Sequence, residues 1–313
     1  MCILFATRRH PNYELIMVSN RDEFYERGTH GICWHSDDFI LSPYDTAKRD
    51  STGDPNYKET FGTWCGINRK GRVASLLNLQ VENCANLKQL VQPKSRGVIP
   101  YVFLSNGEDN LESWDTYDKV CLEYPDIKKS GDFNFFYGDI RTQQYRLIDS
   151  LGHTFVVLDK EHGMDLVVSN DLYSRDKAEL WDKIKLGQSS LNGLLREIAD
   201  CTDENTLLQK CFVMASSCAI QDSEYSRDRY SDPGMSHNTI FVPPLKHNPN
   251  VDIGLSITKG QYYGTKSQMV LLVDKQCKHV TVVEHVLYTS DTDIDKYSQE
   301  HPKEINRVEF DIV

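Results

Sequence analysis

The chain is short of basic charge. Its 313 residues carry 35 Lys and Arg against 46 Asp and Glu, a formal net charge of −11. Nucleic-acid binding needs a basic face to offset phosphate charge, and the basic residues here are scattered. Nucleic acid is therefore not an expected partner, and an anionic membrane surface is disfavoured for the same reason. Long apolar runs are also missing. No stretch approaches the roughly 18 apolar residues of a membrane-spanning helix. The opening run, Cys2 to Ala6, is too short for a secretory signal, and Arg8, Arg9 and His10 follow it closely. Glu14, Asp22, Glu23 and Glu26 argue against an acidic-poor transit peptide. The nine cysteines form no CxxC pair and no Cys/His group at zinc spacing. Neither a disulfide framework, a metal nor a cofactor is expected, and reduced thiols favour the cytosol. Cys211 and Cys218, seven apart on an expected helix, are read as core. There is no internal repeat and no low-complexity tract.

What is present is enough apolar material for a sizeable core, at 39% of residues. Alternation and β-branched residues predict strands over Cys2–Thr7, Tyr13–Ser19, Thr63–Asn68 and Val73–Leu79, with Lys70-Gly71 as a hairpin turn. Asp45–Thr60 reads as a loop. Helical spacing follows from Gly97, and again through Leu111, Trp114, Tyr117, Cys121 and Tyr124 until Pro125. A second strand group, Phe133–Asp139, Gln144–Ile148, Thr154–Leu158 and Asp165–Ser169, has short connections and reads as an antiparallel meander. Two more helices carry Leu191, Leu194, Leu195, Ile198 and Leu207, Leu208, Cys211, Met214. Residues 222–250 are expected to be a long loop and 291–303 an exposed polar segment. Strands over Gln268–Asp274, His279–His285 and Val308–Ile312 complete the chain. The order predicts an α+β fold with two stacked, mostly antiparallel sheets covered by helices, a four-layer αββα sandwich forming one domain over 1–313.

The residue that suggests chemistry is Cys2. A short side chain at position two permits removal of Met1, which would leave a thiol and a free α-amine on one residue. An α-amine has an unperturbed pKa of roughly 7.7–8.0, so it can serve as a base near neutral pH. Nucleophile and base would then share a residue, as in N-terminal-nucleophile hydrolases.

Six ordered blocks accompany it. Asn20-Arg21-Asp22-Glu23-Phe24-Tyr25 is placed just after the second predicted strand. Gly62-Thr63-Trp64-Cys65-Gly66-Ile67 leads to Gly71, Ala74 and Asn78. Ser95-Arg96-Gly97, Phe133-Asn134, Val168-Ser169-Asn170 with Trp181, and Tyr263-Gly264-Thr265-Lys266 follow. Together they resemble the NRDE family, also called the transport and Golgi organisation protein 2 family, over most of the chain. The resemblance implies the fold of N-terminal-nucleophile hydrolases, similar in plan to the bile-salt and penicillin V acylases. It also connects the chain with lipid and acyl-coenzyme A metabolism and with haem trafficking.

The roles that follow are expectations. Cys2 would be nucleophile and base. Asn78 resembles the acylase asparagine that stabilises the oxyanion, and Asn170 a second asparagine beside the nucleophile. Arg21 would lower the thiol pKa, and Asp22 would hold the α-ammonium. Arg21 and Asp22 are adjacent, so on a regular strand only one faces Cys2, and Glu23 would share a face with Arg21. Lys266 would bind substrate, although the family pattern has Arg there and Lys lacks its bidentate fork. The activity expected is hydrolysis of an amide or thioester bond in a small or lipid-like acyl substrate. The alternative is a non-catalytic carrier of acyl-coenzyme A or haem.

Overall fold

A computed structural model describes residues 2–35, 38–47, 62–80, 94–105, 111–221, 223–250 and 260–313. Met1 and most of the loop expected over Asp45–Thr60 lie outside the described residues. In chain order the strands are β1 (Ile3–Thr7), β2 (Tyr13–Phe24), β3 (Thr29–His35), β4 (Ile40–Asp45), β5 (Cys65–Asn68), β6 (Arg72–Asn78), β7 (Phe133–Asp139), β8 (Gln144–Asp149), β9 (Thr154–Val157), β10 (Asp165–Ser169), β11 (Leu245–Lys246), β12 (Tyr262–Asp274), β13 (His279–Val286) and β14 (Glu304–Asp311). The α-helices are α1 (Val98–Ser105), α2 (Tyr117–Glu123), α3 (Asp182–Ile198) and α4 (Glu204–Ala215).

The strands form two antiparallel sheets. The first runs β10-β1-β2-β12-β13-β14, with β11 added on β12, and the second runs β3-β4-β5-β6-β7-β8-β9. One core lies between the sheets and includes Leu4, Met17, Leu41, Val73, Phe136 and Leu271. A second joins Ile3, Val18 and Val270 to Leu191 of α3 and Leu207 of α4. A third sets Ile99 and Phe103 of α1 and Trp114 against Phe135. The layers are therefore αββα. β2 and β12 are buried on both faces, which is why Leu15–Val18 and Met269–Val273 are unbroken apolar runs rather than alternating ones. Among the described residues no helix is long and apolar enough to cross a membrane.

Several sequence expectations need correction. The NRDE block does not follow the second strand but forms its end, because β2 extends to Phe24. β7, β8 and β9 form the meander, but β10 leaves it and pairs with β1 in the other sheet. β3 and β4 were not expected. β4 contains Pro43, which lacks an N–H, and it falls where the β3–β4 register shifts between His30 and Cys33. The stripe from Leu111 to Tyr124 divides into a short 3-10 turn, Leu111–Trp114, and α2. Cys211 is core, but α4 ends at Ala215 and Cys218 beyond it is exposed. Residues 233–237 form a 3-10 turn and β11 pairs with β12, so 222–250 is not wholly irregular. The 291–303 segment opens with a turn that buries Asp293 and Ile294.

α3 lies close over β1, the strand that follows Cys2. Its buried positions are Lys183, Ile184, Gly187, Leu191, Leu194 and Ile198. A Cβ on Gly187 would stand 2.9 Å from Val167 Cγ1 and 3.1 Å from both Ile3 and Phe5 side-chain atoms. Gly187→Leu should therefore overpack this contact and lower stability by about 1–3 kcal/mol in urea unfolding. An unchanged midpoint would mean that the helix does not ride this close to β1.

Candidate active site

Strand register assembles the site. Ile3 pairs with Ser169 on one side and with Asn20 on the other. One residue further, Cys2 stands between Asn170 and Arg21, about 4.8 Å from each neighbouring strand. The row continues through printed pairs: Arg21 with Ser267, Ser267 with Val286, and Val286 with Glu304. Cys2 packs on the core between the sheets, as Leu4 does. Alternation places Arg21 and Glu23 on that same inner face, joined by an Arg21 Nη2–Glu23 Oε2 contact of 3.9 Å.

The second sheet closes over this row. Trp64 lies under the Arg21 guanidinium, 4.1 Å from ring centroid to Cζ, a cation–π contact. Arg21 Nη1 is buried without a hydrogen-bond partner. Glu23 also meets Arg27 at 3.6 Å, and Arg27 is held by Asp45. Arg96 is partly buried nearby, and its Nη1 donates to Asp132 O at 3.0 Å. Burial, and then Arg27, pull its guanidinium down, while Asp132, Glu23 and Cys2 oppose this. Trp64 and Arg96 are brought together because Gly62 and Gly97 pack main chain on main chain. A Cβ on Gly97 would meet Gly62 Cα at 2.8 Å.

The thiol does not follow the simple expectation. Burial pushes the Cys2 pKa up, and the Asp22 carboxylate adds to this. Arg21 and a hydrogen bond from the Asp22 main-chain N–H pull it down, but burial wins. Arg21 thus acts in the expected direction without producing a resting thiolate.

Asp22 divides its atoms between two faces. Its N–H serves the sulfur. Its carboxylate points to the helical layer, where Lys183 Nζ donates at 2.6 Å and Thr265 Oγ1 at 2.7 Å. Both side chains of the Lys183–Asp22 pair are fully buried. Sequence reasoning missed Lys183. The signal was there, because Lys183, Gly187, Leu191, Leu194 and Ile198 recur on one face of α3, and a lysine on such a stripe needs a buried partner.

Asn170 is buried. Its Nδ2 donates to the Asn78 carbonyl and so ties the two sheets together. Its Oδ1 is buried and unpartnered beside Cys2. Asn134, whose role the sequence left blank, fixes this strand end by donating to Ser169 O and Asp171 O at 2.9 and 2.8 Å. Asn78 is half-buried, and its pairing with Phe133 turns its side chain toward the face shared with α1. What it brings to the neighbourhood of Cys2 is its carbonyl, through Asn170. Lys266 is almost fully buried, with Nζ donating to Tyr25 O at 2.6 Å and to Arg27 O at 2.5 Å. Burial first, and Arg21 second, lower its pKa to about 7. Its ammonium anchors the turn after β2 and is not a free clamp for substrate.

A cavity of about 230 Å³ opens beyond Arg21, lined by Trp64, Ser267, Glu284, Val286, Glu304 and Asn306 among others. A larger one, about 860 Å³, lies near Arg9, His10 and Arg196, at the opposite end of β1 from Cys2. In the smaller cavity Glu284 is almost fully buried. Its Oε2 accepts from Ile32 N at 2.7 Å and from Asn306 Nδ2 at 3.4 Å. Burial raises its pKa to about 7, against those two hydrogen bonds.

The fold and this inner-face row define a four-layer αββα protein with a cysteine nucleophile candidate at the start of a central strand. The chain belongs to the Transport and Golgi organisation 2 family, whose pattern it matches over residues 1–289. It is 46% identical to the Saccharomyces cerevisiae uncharacterized protein YGR127W over 99% of both chains. It is 25% identical to the human Transport and Golgi organization protein 2 homolog, over 93% of this chain and 95% of that one. Among solved structures it is similar to penicillin V acylase from Agrobacterium tumefaciens, at 11% identity and a TM-score of 0.44, over 90% of this chain and 82% of the other. A score this low marks a loose likeness of plan.

Two outcomes follow from the buried groups. Lys183→Ala removes the cation from a fully buried ion pair with Asp22, and should cost about 3–5 kcal/mol. Replacing both partners, Lys183→Met with Asp22→Leu, should cost much less. Equal losses in urea unfolding would rule the pair out as the cause. For Glu284, the folded pKa of about 7 lies above its ordinary 4.5. The folded state then binds more protons between these values, so this carboxyl loses stability as pH rises through that window. Glu284→Gln should gain on the wild type by up to about 3 kcal/mol between pH 5 and pH 8. A difference that does not change with pH would contradict the assignment.

Proposed function

We propose that this protein is an N-terminal-cysteine hydrolase acting on an amide or thioester bond of a small acyl substrate. The observation that carries the reading is the register that sets Cys2 between Asn170 and Arg21 on the inner face. Family membership and the four-layer plan support it. Burial raises the thiol pKa, which favours a mechanism with a base within the residue's own reach. After Met1 removal the Cys2 α-amine is that base.

The thiol proton passes to the α-amine as Sγ attacks the carbonyl carbon. The ammonium returns that proton to the leaving nitrogen as the C–N bond breaks. Water then takes the acyl group from sulfur, giving the acid and the free thiol. Arg21 Nη1, a buried donor with no partner, would stabilise the oxyanion. Asn170 Oδ1, an acceptor with no partner, would hold the α-ammonium in place of Asp22, whose carboxylate faces Lys183 and Thr265 on the other side of the sheet. Asn78 would complete the oxyanion hole only if its amide turned inward. Scattered cysteines fit a cytosolic protein, with residues 1–313 folding as a single domain.

Peptide mass spectrometry after exposure to activated acyl donors tests the mechanism. The expected result is loss of Met1 and an acyl adduct on Cys2, absent in Cys2→Ala, with Arg21→Met slowed about 10²–10³-fold. A retained Met1 sinks the mechanism. Saturable binding of acyl-coenzyme A or haem without any Cys2 adduct would favour a carrier.

A further inference from the structure

The inner-face row does not stop at the nucleophile. Cys2, Arg21 and Ser267 occupy successive strands, so the cavity that starts at Ser267 lies about 10 Å from the nucleophile across the sheet. Trp64 both supports Arg21 and lines the cavity. A substrate whose scissile carbonyl lies over Cys2 would reach this space with the group a few bonds away.

Volume limits what that group is. At about 230 Å³ the cavity is smaller than the roughly 300–1,000 Å³ pockets that enclose drug-sized ligands, so it suits a compact group better than a long acyl chain or a nucleotide. The lining limits it further. Glu284 and Glu304 are acceptors in their ionised form, and the Lys266 ammonium already serves two carbonyls. Glu284 Oε2 is held by Ile32 and Asn306, whereas no hydrogen bond engages Oε1 among the described residues. A hydrocarbon tail would desolvate these carboxyl groups without replacing their lost hydrogen bonds. An anion would meet two like charges. A compact group that donates N–H bonds satisfies both carboxyl groups.

We propose that this cavity is the recognition pocket for a short, primary-ammonium-bearing end of the substrate, held by Glu284 with Glu304 at the rim. The proposal rests on the hydrolase reading only for placing the scissile bond over Cys2. Glu284 would ionise as the ammonium binds, so binding would tighten from pH 6 to pH 8. The titratable and charged groups around it are Glu304 from β14, Lys266 from β12, His30 from β3 and Arg21 from β2. Replacing Glu284 isolates its share.

The test is calorimetric titration of the full chain with β-alaninamide, its uncharged counterpart butyramide, and hexanoate, at pH 6 and pH 8. β-Alaninamide is expected to bind about tenfold more tightly than butyramide at pH 8, and less so at pH 6. Glu284→Gln should remove that preference. Glu304→Gln, at an exposed position that folding tolerates, should reduce it. No binding of β-alaninamide at millimolar concentration overturns the proposal. So does equal binding of butyramide, tighter binding of hexanoate, or a preference that survives both variants. The two readings fail separately. A pocket that selects β-alaninamide in Cys2→Ala, in a protein that never forms a Cys2 adduct, removes the hydrolase and keeps the pocket. A Cys2 adduct with no ammonium preference does the reverse.

Discussion

The site depends on one constraint: residue 2 is threaded between two strands. β1 is five residues long and has β10 on one side and β2 on the other. A shift of one residue in either register would turn the thiol from the inner to the outer face. The register is pinned from several directions. Ile3 and Phe5 pack under α3 with only the Cβ-less Gly187 between them. Ser169 Oγ donates to Cys2 O at 2.6 Å. Asn134 holds the end of β10 from the second sheet. The first residues of a chain are often the least ordered. Here Ile3–Thr7 are held by paired strands on both sides, as the proposed mechanism would require.

That placement has an electrostatic consequence. The layer between two sheets is a poor solvent for charge, so a thiol there stays neutral. The same burial makes every neighbouring charge felt more strongly. The protein meets this by alternating signs along the inner face, with Arg21, Glu23, Arg27 and Asp45 each touching the next. Arg21 Nη1 is the donor left over from that chain. An unsatisfied buried donor costs about 1–3 kcal/mol. It is understandable under the proposed hydrolysis, in which negative charge would develop beside it.

Much of this was legible in the sequence, and the failures have particular causes. Cys2 and the NRDE residues stand out because their chemistry is unusual at a chain start. Strand alternation alone separates Arg21 and Glu23 from Asp22. The long helices read correctly because their apolar stripes are local. What did not read was non-local. Nothing near Asp165 says that β10 will leave its meander for β1. Nothing near Asn78 says that its carbonyl, rather than its amide, will meet Asn170. Lys266 looked like a substrate clamp because sequence does not show that the chain turns at Tyr25 and offers it two carbonyls. Pro43, which lacks an N–H, sits in β4 where the pairing with β3 shifts register.

The four NRDE residues then read as one device with two faces. Asn20 and Asp22 point outward. Asn20 Nδ2 bonds Ala215 O at the end of α4 and Ile240 O, and Asp22 bonds Lys183 at the start of α3. They fasten the helical layer to β2. Arg21 and Glu23 point inward, to Cys2 and to the second sheet. A strand cannot move one face without the other, so the helices that grip Asn20 and Asp22 also fix where Arg21 stands relative to Cys2. An outer-face substitution would therefore be felt at the thiol although it touches no inner atom. The compact motif follows from geometry: β2 packs on the helical layer and pairs with β1, which Cys2 precedes, and with β12, which lines the small cavity.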